Sequence, residues 1–308
     1  MAGMGSFIAD LPKAELHVHL EGAILPETLH ELAPELLPEE IRERYRYGDF
    51  QGFLRSFAWV IGYLRSPDDY ALVTRRLLER LESERVLYAE IILSAGVILW
   101  RNQEVGPIYE AVRREAARSP VKVWWLFDAV RQFGVEPAMR VAELAAERIG
   151  EGVIGYGIGG DEARGPAELF TGVFAFAKRC GLRLTAHGGE TTGPESVWGA
   201  LRLGAERIGH GIRSTEDPAL VTHLRDNDIP LEICISSNVA TGAVASLADH
   251  PVRRLYEAGV PIVLNSDDPA MFHTTVSREY EIAASDFGFN ETELRNLAEN
   301  SFRYAFRR

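Results

Sequence analysis

The hydrophobic residues of the chain follow two different patterns. Short, nearly continuous apolar runs predict strands, and each run is followed by a stretch with helical spacing. Such continuous runs are typical of parallel strands that are buried on both faces. The predicted strands cover residues 15–20, 86–93, 121–127, 153–158, 182–186, 205–208, 230–235 and 261–264. The predicted helices between them cover residues 66–83, 107–118, 136–149, 166–180, 195–203, 217–226 and 252–258.

Eight strands that alternate with helices predict an α/β fold, in which a parallel sheet lies inside a layer of helices. Eight is also the number of strands that closes a (β/α)8 barrel, or TIM barrel. The connection after the first strand is too long for one helix, so we interpret residues 26–64 as extra helices inserted over one end of the barrel. Asn290 and Glu293 form a helix-capping pattern, which predicts a helical extension at the C-terminus. No linker or repeat divides the sequence, and we expect one domain over residues 1–308.

Composition and charge narrow the class of protein. The 308 residues are 46% hydrophobic and 25% charged, which excludes wholesale disorder. A net charge of −12 argues against binding to nucleic acid or to an anionic membrane, because both need a basic surface. The richest apolar stretch, residues 91–100, is too short for a membrane helix, and we expect no secretion signal because the N-terminal segment has neither a basic region nor an apolar core. We therefore expect a folded cytoplasmic protein, whose oligomeric state the sequence does not determine.

Polar side chains of the types that bind metals or move protons lie where several predicted strands end. They follow the first, fifth, sixth and eighth strands, as His17, His19, His187, Glu190, His210, Asp267 and Asp268. In a TIM barrel the carboxyl ends of the strands meet at one mouth, which is where such folds carry active sites. The joint placement of these residues therefore predicts an active site at that mouth.

The pair His17 and His19 suggests a metal centre. Residues two positions apart on a strand share a face, so both imidazoles can reach one ion. A third histidine and an aspartate at the ends of distant strands would complete a ligand set suited to Zn²⁺, with room for a water molecule. Such a metal lowers the pKa of its water toward neutrality. We predict one zinc ion per chain.

Three short motifs place further groups around this centre. In TAHGGE, two glycines allow a tight turn after His187 and leave Glu190 near the metal without binding it, as a general acid requires. In RIGHG, His210 lies between two glycines after a short strand, which is an unusual position for a core histidine. In NSDDP, Asp267 can bind the metal and Asp268 the substrate.

The order and spacing of these motifs resemble the adenosine deaminase family of zinc aminohydrolases. The resemblance extends over about residues 10–305 and rests on LPKAELHVHLEGA, GGDE at 159–162, HGGE, RIGHG, and SSN followed by NSDDP. It implies a (β/α)8 barrel and a metal bound by His17, His19, His187 and Asp267. The region DFQGFLRSFAWVIGYLRSPDDY also resembles the helical wall over the purine pocket of that family.

The resemblance further implies a role for each group that contacts the substrate. Glu190 would protonate the purine N1, and His210 would orient the zinc-bound water and help to deprotonate it. Asp268 would hydrogen-bond N7, and the backbone N–H of Gly160 would contact N3. Four pocket-wall positions carry apolar residues whose spacing is equally that of an ordinary buried helix face: Phe50, Phe53, Leu54 and Phe57.

The reaction implied by the resemblance is hydrolytic deamination of an adenine-containing nucleoside, with release of ammonia. Two departures from the family pattern concern the substrate. Glu21 stands where adenosine deaminases commonly have an Asp that contacts the ribose 5′-hydroxyl, and Gly157 replaces another usual Asp. These departures weaken the case for adenosine itself, which stays one of the candidate substrates. They favour a nucleoside with a changed 5′ substituent, such as aminodeoxyfutalosine, or free adenine as an alternative.

Two other functions remain open at this stage. The chain could be a barrel hydrolase that acts on an amide or ester, although no lysine follows the middle strands to bridge a second metal. It could also be an inactive binding relative, although no metal ligand is missing. Several remaining residues have ordinary interpretations. We expect His30, His223 and His250 at surfaces or helix ends, Cys180 and Cys234 as small buried residues, and Ser236, Ser237 and Asn238 near the pocket floor. His273 follows Asp-Asp-Pro closely and could line the mouth.

Overall fold

A computed structural model describes residues 2–307 of the chain and contains one sheet of eight strands, which pair in the order in which they occur along the sequence. Every neighbouring pair is parallel. The strands are β1 Lys13–His19, β2 Val86–Leu93, β3 Lys122–Val130, β4 Val153–Gly159, β5 Arg183–Gly188, β6 Arg207–His210, β7 Leu231–Ile233 and β8 Ile262–Leu264. All eight predicted strands are therefore present.

The barrel closes between β1 and the segment that follows β8. Val18 and Asp267 form a parallel bridge. The backbone N–H of His19 donates to the carbonyl of Asp267 at 2.8 Å, and the N–H of Asp267 donates to the carbonyl of His17 at 3.0 Å. These bonds confirm the (β/α)8 barrel. They also bring three of the predicted site residues together by backbone pairing alone.

Helices surround the barrel. They are α1 Ala2–Asp10, α2 Pro26–Leu32, α3 Pro38–Arg44, α4 Phe50–Ile61, α5 Pro67–Ser83, α6 Ala95–Trp100, α7 Val105–Ala116, α8 Val135–Ala146, α9 Thr171–Arg179, α10 Pro194–Arg202, α11 Pro218–Asp226, α12 Ile235–Ala240, α13 Val252–Glu257, α14 Val276–Phe287 and α15 Glu291–Arg303. Across residues 2–307, every helix is too short or too polar to cross a lipid bilayer.

The long connection after β1 holds extra helices, as predicted. Helices α2, α3 and α4 precede α5. Helix α5 begins with a capping box, because the Ser66 side chain accepts from the backbone N–H of Asp69 and the Asp69 carboxylate accepts from that of Ser66. Helix α15 begins with the same arrangement between Asn290 and Glu293, which confirms the predicted C-terminal helix.

Some boundaries and environments differ from the sequence prediction. Strand β6 begins at Arg207 and includes His210, whereas the apolar run ends at residue 208. The prediction that Cys180 is buried was wrong, since this residue follows the last turn of α9 and is exposed. The chain reverses there at Gly181, whose φ of +91° favours glycine. Cys234 is buried, as expected.

A charged cluster lies inside the barrel between its base and its mouth. Arg207 is 1% exposed; its Nε donates to Glu232 at 2.5 Å and one terminal nitrogen donates to Glu90 at 2.6 Å. The C-terminal tail completes this cluster, because the N–H of Phe306 donates to Glu90 at 2.6 Å. The Phe306 ring centroid also lies 3.6 Å from the guanidinium carbon of Arg207.

We predict that Arg207→Met strongly destabilises the protein, because it leaves Glu90 and Glu232 as unpaired buried carboxylates. Removing one member of a buried ion pair costs about 3–5 kcal/mol. Arg113→Met is the matched control, since Arg113 pairs with Glu110 at the surface and such pairs contribute about 0–1 kcal/mol. Chemical denaturation measures both. Equal losses in the two variants would contradict a special role for the buried cluster.

Candidate active site

The carboxyl ends of the strands open into a cavity of about 270 Å³. Its polar side is formed by His19, Ser94, Asp128, Gln132, His187, Glu190, His210, Asp267 and Asp268, and Gly159 and Gly160 contribute backbone. Its apolar side is formed by Phe50, Phe53, Leu54, Phe57, Ala58, Ile61, Val97, Trp100, Val130, Phe133 and Phe272. One enclosed space thus combines proton-transfer groups with an aromatic wall.

The predicted metal-binding residues converge at the inner end of this cavity. The ring centroids of His17, His19 and His187 lie 4.7 to 5.4 Å from one another. The Nε2 atoms of His17 and His19 are each 3.4 Å from Asp267 Oδ1. His210 is also close, since His17, His187, His210 and Asp267 each offer a ligand atom within 4.8 Å of the others. The geometry therefore brings together five candidate ligands.

Hydrogen bonds orient two of these imidazoles for metal binding. Glu232 Oε2 lies 2.7 Å from His17 Nδ1, and the carbonyl of Ile158 lies 3.2 Å from His187 Nδ1. Because a carbonyl can only accept, His187 carries its proton on Nδ1 and has a free lone pair on Nε2. His17 Nε2 is buried without a hydrogen-bond partner among residues 2–307. A buried, unpartnered nitrogen beside a carboxylate fits a divalent metal.

Burial also sets the protonation states around this centre. It lowers the pKa of His19 to about 4 and that of His187 well below its usual range, so both rings are neutral, as metal ligands must be. Burial, followed by the nearby Asp267 carboxylate, raises the pKa of Glu190 well above its usual range. Glu190 is therefore held in the protonated form that a general acid needs.

A second carboxylate, Glu162, positions the loop that carries Glu190. Its oxygens accept from the backbone N–H groups of Gly189, Glu190 and Thr191 at 2.8 to 2.9 Å. The hydroxyl of Ser196 donates to it as well. Burial alone would raise the pKa of Glu162, but these donors outweigh burial and lower it. The sequence placed Glu162 in the GGDE motif without a role, since only the fold brings it to this loop.

His210 is held by residues from the β7–α13 connection. Its backbone has a φ of +62°, which is rare for a residue other than glycine. Asn238 lies 3.1 Å from His210 Nδ1, and His250 lies 3.1 Å from the other end of the Asn238 amide. His250 ends the turn Leu247–Asp249, in agreement with the predicted helix-end position, but it is only 4% exposed and does not lie at the surface. The turn Leu247–Asp249 directs it inward against Phe287.

Of the other residues predicted to contact the substrate, most line the cavity, and Glu21 does not. All four apolar positions of α4 line the cavity, and so do Gly160 and Asp268. Asp268 Oδ1 is buried without a hydrogen-bond partner among the described residues. Glu21 is not among the described residues that line the cavity, because its carboxylate lies behind the wall and accepts from the backbone N–H of Ser94 at 3.1 Å.

The remaining histidines and the SSN segment lie outside the cavity. His30 is exposed, His223 is half-buried on α11, and His273 is exposed with Nε2 3.3 Å from the carbonyl of Tyr45. Ser236, Ser237 and Asn238 form the first turn of α12 and do not line the cavity among the described residues. Of these three, Asn238 reaches the site through His210.

One cavity residue, Asp128, was missed by the sequence analysis. It lies on β3 and is 4% exposed, and burial raises its pKa to about 7. A Cβ atom at Gly157 would lie 2.7 Å from Asp128 Oδ1, so a larger residue at this position of β4 would require the Asp128 carboxylate to shift. A lone aspartate in the apolar run WWLFDAV was the available signal.

Comparison with known proteins places this site in a family. The profile of the family described as adenosine deaminase matches residues 12–308. An aminodeoxyfutalosine deaminase from Streptomyces avermitilis is 40% identical over 98% of this chain and 88% of that protein.

Solved structures agree with this assignment. An adenine deaminase from Arthrobacter aurescens superposes with a TM-score of 0.91 and 32% identity, covering 97% of this chain and 94% of that chain. A zinc-bound amidohydrolase from Burkholderia ambifaria gives a TM-score of 0.91 and 25% identity over 99% of this chain and 88% of that chain. The chain therefore belongs to the adenosine deaminase family, and it is a hydrolase that acts on C–N bonds.

Proposed function

We propose that this protein removes the 6-amino group from an adenine-containing nucleoside by zinc-dependent hydrolysis, releasing ammonia. The observation that carries this proposal is the cavity itself. It combines several imidazoles and a carboxylate, a buried protonated acid at Glu190, and an aromatic wall on α4. An aromatic base needs an apolar surface to lie against, and its amino group needs a nucleophile and an acid at one end.

The metal in this proposal is zinc, one ion per chain, held by His17, His19, His187 and Asp267. The donor set of imidazoles and one carboxylate suits zinc. When bound, zinc lowers the pKa of a coordinated water and so supplies a nucleophile at neutral pH. The zinc-bound amidohydrolase of the same fold supports this choice of metal. Separately from the metal, we keep a cytoplasmic location as a prediction from the sequence.

The protein groups act on the purine ring in this proposal. Glu190, kept protonated by burial, donates its proton to N1 and makes C6 more electrophilic. Asp268, whose pKa is raised well above its usual range by burial and then by Asp267, donates from its unpartnered Oδ1 atom to N7, and the backbone N–H of Gly160 donates to N3. The phenylalanines of α4 exclude water from the ring face. Attack at C6 followed by loss of ammonia completes the hydrolysis.

The shape of the mouth supports a substrate with an enlarged 5′ substituent. Ser94, Val97 and Trp100 are spaced three residues apart and line the cavity from the start of α6 to its end. The backbone N–H of Ser94 also donates to Glu21. Trp100 is 61% exposed and stacks on Phe133, with ring centroids 5.5 Å apart. A second cavity of about 530 Å³, which includes Arg140, borders the same aromatic pair. The space suits a group attached to the 5′ carbon.

We therefore favour a 5′-modified adenosine such as aminodeoxyfutalosine, the substrate class in the name of the Streptomyces relative. Free adenine is the second candidate, because an adenine deaminase has the same fold with a TM-score of 0.91. An amide or ester hydrolase and an inactive binding protein are the remaining alternatives. The protonated Glu190 and the apolar wall of the cavity argue against both.

The substrate proposal predicts an order of kcat/KM. Aminodeoxyfutalosine should exceed adenosine and adenine by roughly tenfold or more, because extra contacts at the mouth stabilise its bound form. Trp100→Ala should lower kcat/KM for aminodeoxyfutalosine by roughly tenfold and leave adenine nearly unchanged. Leu169→Ala, an exposed apolar residue away from the cavity, is the control. Faster turnover of adenine would favour the second candidate, and no ammonia from any 6-aminopurine would reject deamination.

The role of Glu190 predicts that Glu190→Gln retains zinc but loses most turnover. General acid catalysis contributes about 10²–10⁴ in rate, so kcat should fall by a factor in that range. Glu195→Gln, at an exposed carboxylate near the start of α10, should leave kcat unchanged. Metal analysis and steady-state kinetics on the same preparations test the pair. A wild-type kcat in Glu190→Gln would remove this residue from the mechanism.

A further inference from the structure

We infer that Asn238 and His250 hold His210 in the neutral tautomer that carries its proton on Nε2, which makes them positioning residues for the site. The three side chains form a buried line from α13 to the cavity, at 0% exposure for Asn238, 4% for His250 and 1% for His210. The tautomer follows from the hydrogen bonds alone. Its catalytic consequence rests on the function proposed above.

The line of hydrogen bonds begins at the backbone N–H of Val252. The N–H of Val252 can only donate, and its nitrogen lies 3.2 Å from His250 Nδ1. That ring nitrogen must therefore accept and carries no proton. His250 is neutral, since burial lowers its pKa to about 3, and its single proton lies on Nε2.

The next bond fixes the orientation of the Asn238 amide. His250 Nε2, which carries the proton, lies 3.1 Å from the Asn238 side chain and must face its oxygen. The NH₂ group of Asn238 then faces His210 Nδ1 at 3.1 Å. The opposite amide orientation would set two donors against each other in a buried site, which is unfavourable. His210 Nδ1 therefore accepts, and the His210 proton lies on Nε2.

This tautomer decides between the five candidate ligands. A protonated nitrogen has no lone pair for a metal, so His210 does not bind it through Nε2 although the atom lies among the other ligands. Instead, the His210 N–H points into the cavity, 3.7 Å from Glu190 and 3.9 Å from Asp267. It can donate a hydrogen bond to the oxygen of the hydrolytic water and orient it. The tautomer does not allow His210 to accept that proton.

The backbone of His210 supports a site held in one arrangement. Its φ of +62° is disfavoured for a side chain with a Cβ atom, and such strain is found where a side chain must point in one direction. Gly209 and Gly211 on either side allow this turn. The inward direction of the ring and its proton position are thus specified by separate parts of the chain.

Nitrogen NMR of the zinc-loaded protein tests the inference directly. With ¹⁵N-labelled histidine, a long-range ¹H–¹⁵N spectrum distinguishes the protonated from the unprotonated ring nitrogen, and the difference between wild type and His210→Gln identifies the His210 signals. We expect His210 with the proton on Nε2. A wild-type spectrum with the His210 proton on Nδ1 overturns the inference.

Two substitutions test whether Asn238 and His250 cause this state. Asn238→Asp replaces the donor with an acceptor, so the proton of His210 should move to Nδ1. His250→Leu removes the donor that orients the amide and should allow both tautomers of His210, whereas His250→Gln keeps an amide donor and should preserve the wild-type spectrum. An unchanged His210 spectrum in folded Asn238→Asp contradicts the positioning role.

Kinetics separate this inference from the proposed function. Asn238→Asp should lower kcat by roughly tenfold or more, as substitutions of residues that orient site histidines do, with little change in KM. Asn227→Asp makes the same chemical change at an exposed position and should have wild-type kinetics. If no purine is deaminated but His210 is protonated on Nε2, the proposed function fails while the tautomer assignment stands. Wild-type kcat in Asn238→Asp overturns the positioning role.

Discussion

The hydrogen bond between Glu232 and His17 is the interaction on which the site depends most. Burial alone would raise the pKa of Glu232, but Arg207 and His17 outweigh burial and hold it below its usual range. A charged Glu232 fixes the His17 ring and leaves Nε2 directed at the metal position. Arg207 in turn is held by Glu90 and by the C-terminal tail. The base of the barrel therefore contributes to the chemistry at its mouth.

Elsewhere around the cavity, backbone groups with a fixed donor or acceptor role determine which ring nitrogen of a histidine carries the proton. The carbonyl of Ile158 sets the tautomer of His187, and the N–H of Val252 sets that of His250 and so of His210. Three backbone N–H groups hold Glu162 under the Glu190 loop. Donors and acceptors that are fixed before the substrate binds require little reorganisation during the reaction, which is where preorganised sites gain their rate. Metal ligands and proton donors can thus coexist within a few ångströms.

The sequence predicted the barrel well for two reasons. Eight apolar runs indicate strands that are buried on both faces, and the helices between them indicate that the strands are parallel. It also singled out His17, His19, His187 and Asp267 as candidate metal ligands, since each lies near the end of a strand or in a recognisable motif, and the fold brings these side chains together. It could not reveal contacts between residues distant in sequence. The pairing of Glu232 with Arg207 was hidden for this reason, and the sequence of the connection between α12 and α13 gave no sign that His250 turns inward. Roles that depend on contacts between distant residues could be assigned only from the structure.

The central claim is that the mouth of this barrel holds one zinc ion through three histidines and one aspartate, while His210 supplies a proton-bearing nitrogen beside it. A crystal structure of the zinc-loaded protein, with the ion located by its anomalous scattering, tests this claim most directly. We predict one zinc at about 2.0–2.1 Å from the nitrogens of His17, His19 and His187 and at about 2.0–2.2 Å from an oxygen of Asp267. Zinc bound to His210 in place of His19, or no zinc at this position, would contradict the account.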